Sequence, residues 1–103
     1  MKYYMIEIAF DKLEEVNKTI DLLLEKRLVS SCQIIESNSK WRWHGKIEQS
    51  KEYLLRLKTK KELVSEIYEI VRETHSYEVF EFVCFPLDSY NKEYLDWIAK
   101  ETK

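Results

Sequence analysis

The chain has 103 residues, 45% of them hydrophobic and 35% charged, and its 17 basic and 19 acidic side chains leave a net charge of −2. This length holds a single domain over residues 1–103. The charge balance excludes a general nucleic-acid binder, which needs a basic face for phosphates, and no apolar run reaches the length of a membrane span. One glycine excludes glycine-rich phosphate loops and dinucleotide fingerprints, and two cysteines, Cys32 and Cys84, exclude a disulfide scaffold or a four-cysteine zinc site. Without a signal-peptide core after Met1, the expectation is a cytoplasmic protein with reduced thiols.

The first element is a strand from about Lys2 to Phe10, where Tyr4, Ile6, Ile8 and Phe10 alternate with Tyr3, Met5, Glu7 and Ala9. Asp11 and Glu14 have capping-box spacing before a helix whose apolar stripe is Leu13, Val16, Ile20, Leu23 and Leu24. A second strand runs from Val29 to Ser37, and Ser37-Asn38-Ser39 reads as a bend or bulge before Trp41 and Trp43 resume the pattern. His44-Gly45 is the turn, and Lys51 to Lys58 is the returning strand.

Thr59 and Glu62 have capping-box spacing ahead of a helix with Leu63, Ile67, Ile70 and Val71 on one face. Tyr77 to Phe85 alternates as a strand that stops at Pro86. Asn91 opens a final helix with Tyr94, Leu95, Trp97 and Ile98 toward the core. The order predicts an α+β fold: a ferredoxin-like βαββαβ sandwich with an antiparallel sheet, helices on one face and an extra C-terminal helix. Several strands are apolar on both faces, and burial against further copies of the chain is the simple way to keep the second face dry.

Five ordered motifs resemble the CutA family, the divalent-cation tolerance proteins. They are the stretch from Leu23 through Arg27 to Cys32, the hairpin Trp41-Arg42-Trp43-His44-Gly45-Lys46-Ile47-Glu48, Leu57-Lys58-Thr59, His75-Ser76-Tyr77-Glu78-Val79-Phe80-Glu81, and Tyr94-Leu95-Asp96-Trp97. Ser76 and Phe80 stand where the family usually has prolines, and Ala9, Ile70 and Thr74 stand where some members carry extra cysteines or a histidine. The resemblance implies a homotrimer, comparable to the PII signalling proteins, in which the hairpin reaches onto a neighbour.

The resemblance also implies a binding protein of divalent-metal tolerance, with copper as the candidate metal and no enzymatic activity. Cys32 and His75 are the candidate ligands, since thiolate and imidazole suit copper. The structural alternatives are a buried cysteine in a strand and a histidine bonding the end of a helix. Trp41, Trp43, Lys46, Lys58, Tyr77, Glu78 and Glu81 are expected at the inter-subunit cleft or interface. A second reading is a trimeric scaffold for an unidentified protein partner, without functional metal binding. A Cys32–His75 hydrolase has no local nucleophile turn to support it.

Overall fold

The computed structural model describes residues 2–103. The elements are β1 (Tyr3–Phe10), α1 (Leu13–Glu25), β2 (Ser31–Trp43), β3 (Lys46–Lys60), a short 3₁₀ turn (Lys61–Leu63), α2 (Val64–Thr74), β4 (Phe82–Leu87) and α3 (Lys92–Glu101). The four strands form one sheet in the order β2-β3-β1-β4, every neighbouring pair antiparallel. This is the expected ferredoxin-like sandwich with an added C-terminal helix.

Alternation decides which residues enter the core. Ile6, Ile8 and Phe10 of β1 and Leu55 and Leu57 of β3 are fully buried, together with Val16, Leu23, Ile67 and Val71 from the helices. The residues between them point to the opposite sheet face. It carries Met5, Glu7, Ile35, Leu54, Arg56, Val83 and Phe85, of which Ile35, Val83 and Phe85 are 38%, 39% and 43% exposed. Glu7 and Arg56 face each other across β1 and β3 there, with the Arg56 Nη2 and Nε donating to one Glu7 carboxylate oxygen at 2.7 and 3.0 Å.

Several sequence expectations are corrected. Asp11 does not cap α1: the N-cap position is Lys12, and no side chain caps it. Thr59 does not cap α2 either. It is the penultimate residue of β3, opposite Tyr4, and its hydroxyl donates to the Leu28 carbonyl at 2.6 Å. The sheet ladder supplies more hydrogen bonds than a single cap and prevails.

The Ser37–Ser39 bend is absent: pairing runs unbroken from Ser31–Lys58 to Trp43–Lys46. β4 starts at Phe82 rather than Tyr77 and continues through Pro86. As an edge strand it tolerates a residue without an N–H, since one side needs no donor. Leu13, Leu24 and Trp97 are 43%, 44% and 41% exposed rather than buried, while Thr19 is fully buried and hydrogen bonded to the Thr74 hydroxyl at 2.9 Å.

The β1–β3 ladder ends at Phe10 opposite Tyr53. From Ser37–Glu52 outward, β2 and β3 pair only with each other, forming a two-stranded arm roughly 20 Å long at about 3.4 Å per residue. His44 and Gly45, with φ of 50° and 78°, close it in a two-residue turn of the mirror-image type that matches strand twist.

Candidate functional site

His75 follows α2 directly, and its backbone N–H donates to the Val71 carbonyl at 2.9 Å. The residue is 9% exposed, and its ring is sandwiched between Phe10 (centroids 4.2 Å apart, planes 12° apart) and Phe80 (4.8 Å, 13°). Nε2 lies 2.6 Å from the Ala9 carbonyl, and Nδ1 accepts the Tyr77 N–H at 3.1 Å. This pattern fixes the neutral tautomer with the proton on Nε2, so neither nitrogen offers a free lone pair. Burial pushes the imidazole pKa down, against weaker upward effects of the Ala9 bond and of Glu15, Asp11 and Glu52.

Pinning His75 under β1 also sets the next six residues, Ser76 to Glu81. They run past the end of β1 beside the arm instead of joining β4. The Tyr77 hydroxyl donates to Oε2 of the buried Glu52 at 2.7 Å. Between this segment and the arm lies a cleft of about 440 Å³ lined by Trp41, Trp43, Glu48, Ser76, Tyr77, Glu78 and Val79. Four expected site residues, Trp41, Trp43, Tyr77 and Glu78, therefore meet within one subunit.

Glu48, Ser76 and Val79 are lining residues that the sequence reading did not single out. Glu48 was within reach, because a two-residue turn at His44-Gly45 puts it opposite Trp41. The remaining candidates lie elsewhere. Lys46 pairs with Trp43 at the exposed tip of the arm. Lys58 is on the open sheet face, donating to Gln33 Oε1 at 3.1 Å. Glu81 precedes β4, and burial followed by the nearby Glu7 and Glu52 charges pushes its carboxyl pKa up.

Cys32 faces the helix side of the sheet at the β2 edge, opposite Leu57, and burial pushes its thiol up to about 12 despite Lys58. The sheet register separates it from His75. Cys32 is level with Ile6 two strands away, and His75 is bonded at Ala9, three residues further on. Strand spacing and rise then put the two on the order of 10 Å or more apart. Cys84 is level with Cys32 but on the far edge strand, well beyond disulfide reach. Among the described residues no group of three or more His, Cys, Asp or Glu side chains is arranged to hold a metal ion, and no helix is long and apolar enough to cross a membrane.

The family profile described as CutA1 divalent ion tolerance protein matches residues 4–101. The divalent-cation tolerance protein CutA of Pyrococcus horikoshii is 33% identical over 99 residues, which cover 96% of this chain and 97% of that one. Mouse protein CutA is 38% identical over 92 residues, but these span only 52% of its length. Among solved structures, the periplasmic divalent cation tolerance protein CutA from Archaeoglobus fulgidus superimposes with a TM-score of 0.93 at 33% identity, covering 98% of this chain and 99% of that one. The Thermus thermophilus divalent cation tolerance protein gives 0.92 at 30% identity, with coverage of 98% and 99%. On fold, coverage and identity together, the chain belongs to the CutA family of divalent-cation tolerance proteins.

Proposed function

We propose that this protein serves divalent-cation tolerance as a homotrimeric, non-enzymatic binding protein whose metal- or ligand-responsive sites lie at or beside its subunit boundaries. The arm carries this reading. An isolated two-stranded ribbon is marginal in water, yet this one extends far past the sheet and bears Trp41, Trp43 and Ile47, the last 60% exposed. A neighbouring copy that receives the arm, together with the apolar open face of the sheet, removes both liabilities. In such a trimer Lys46, Lys58 and Glu81 lie along the boundary, and Trp41, Trp43, Tyr77 and Glu78 form the adjoining cleft. This arrangement parallels the clefts of PII-type trimers.

For copper, Cys32 is the soft donor, and it sits on an edge strand that another copy can approach. His75 contributes only if its bonds to Ala9 and Tyr77 break. We therefore expect weak Cu(I) binding, at most one ion per subunit, in titrations of the reduced protein. Binding requires loss of the thiol proton, and the thiol is pushed up to about 12. Affinity should therefore rise about tenfold per pH unit across the neutral range. Cys32→Ser should abolish binding and His75→Ala should leave it intact. Binding unchanged in Cys32→Ser contradicts this assignment.

One observation favours the scaffold reading, in which the trimer docks a protein partner without using metal: both His75 nitrogens are engaged and the Cys32 thiol is held protonated. No Cu(I) binding at any pH supports that reading. The relative from A. fulgidus is described as periplasmic. For this chain we place the protein in the cytoplasm, on its two free and mutually distant cysteines.

A further inference from the structure

α3 is the helix added to the βαββαβ core, and its two ends are tied differently. It starts after the loop 88–91, where Tyr90 is fully exposed, and packs on β3 through the buried Leu95 and Ile98. Among the described residues the main core cluster draws on β1, α1, β3, the 3₁₀ turn, α2 and Leu28-Val29, and not on α3. Burial of two side chains is a small anchor for a ten-residue helix.

The far end is held by hydrogen bonds from outside the helix, whose last carbonyls have no partners within it. Arg27 supplies them: Nη2 donates to the Lys100 carbonyl at 2.8 Å and Nε to that of Glu101 at 3.2 Å. Lys60 Nζ donates to the next two carbonyls, Thr102 at 3.3 Å and Lys103 at 2.9 Å. The Lys103 N–H returns a bond to the Arg27 carbonyl at 2.9 Å, and Lys103 Nζ meets Glu66 at 3.0 Å. The Arg27 and Lys60 charges also oppose the negative end of the helix dipole.

Arg27 does this from a strained conformation. It follows the C-cap of α1 with φ of 56°, its own N–H on the Leu24 carbonyl and the Leu28 N–H on that of Leu23. Glycine is the usual residue there, because a Cβ crowds the left-handed backbone. We infer that Arg27 is a latch: a positioning residue that ties the end of α1 to the end of α3 and, with Lys60, closes the C-terminal segment as a strap over the end of the sheet. The strained backbone aims the guanidinium at carbonyls that glycine leaves bare. Every contact of the strap lies within one chain, so the inference stands apart from the binding reading above.

The test is amide hydrogen exchange on the full chain in its native assembly, read residue by residue and referred to β1 and β3. Arg27→Gly relieves the left-handed strain and removes the guanidinium. Exchange in the last turn of α3, Ile98 to Glu101, should rise about tenfold against the core strands. The last turn of α1, Leu22 to Glu25, should stay as protected as in the parent. Lys60→Met leaves the α1 turn untouched and should raise exchange in the same turn of α3 about threefold. Arg27→Lys keeps the charge without the fork and should fall between the parent and Arg27→Gly. Unchanged α3 protection in Arg27→Gly, the result if Leu95 and Ile98 or a neighbouring subunit hold the helix unaided, overturns the inference. Equal acceleration of α1 and α3 also overturns it, because Arg27 then serves only its own helix.

Discussion

His75→Ala is expected to lower the stability of the fold by about 3–5 kcal/mol, the largest effect among the candidate site residues. The substitution empties the space between Phe10 and Phe80 and orphans two backbone groups, the Ala9 carbonyl and the Tyr77 N–H. His75→Phe separates these contributions. It keeps a ring in the stack and loses only the hydrogen bonds, for about 1–3 kcal/mol. The imidazole also gives stability a pH dependence of known sign. Its pKa is lowered in the fold, so the unfolded chain takes up the proton first. The contribution of His75 is complete above the ordinary histidine pKa of about 6.5. It declines as pH falls from there toward the depressed folded value and levels off below it. Urea denaturation at fixed protein concentration, repeated across this range, should show the slope in the native protein and its loss in His75→Phe. A His75→Ala protein as stable as the parent contradicts the anchoring role.

Trp43→Ala should act on assembly rather than on the fold. Trp43 is 37% exposed in the subunit, near the tip of an arm that has left the main sheet, so the core does not depend on it. In the proposed trimer the indole is buried by a neighbour, and truncating a central aromatic at an interface costs about 2–4 kcal/mol. Dilution series by sedimentation should then show dissociation at concentrations where the parent remains assembled, with far-ultraviolet dichroism of the subunit retained. A variant that resists dilution as the parent does removes the arm from the interface.

The sheet and helices were legible because alternation and 3.6-residue stripes are burial patterns. Ile6, Ile8 and Phe10 on β1, or Ile67 and Val71 on α2, are buried where those periods require. The misread boundaries share one cause. Asp11 and Thr59 have the spacing of helix caps, but a local signal cannot show that β3 pairs with β1 as far as Lys60 and draws Thr59 into the ladder. Ser37-Asn38-Ser39 looks like a break, yet its partners Glu52, Lys51 and Ser50 hold it in register.

Tyr77 to Glu81 alternates like a strand, but the bonds of His75 to Ala9 and of Tyr77 to Glu52 take it elsewhere. The site was legible as a set of motif residues and not as a constellation. The resemblance named Trp41, Trp43, Tyr77 and Glu78 among seven residues of an inter-subunit cleft or interface, and these four line one cleft within the subunit. It could not show that Cys32 lies at one edge of the sheet while His75 is occupied near the other.

The trimer is the claim on which the proposed function depends, and two features of one subunit support it: a two-stranded arm roughly 20 Å long that leaves the main sheet, and a sheet face on which Ile35, Val83 and Phe85 stay 38–43% exposed. Light scattering coupled to size exclusion, at micromolar protein under reducing conditions, measures it directly. The account predicts one species of three times the 12.6 kDa chain mass. A species with the mass of a single chain contradicts it.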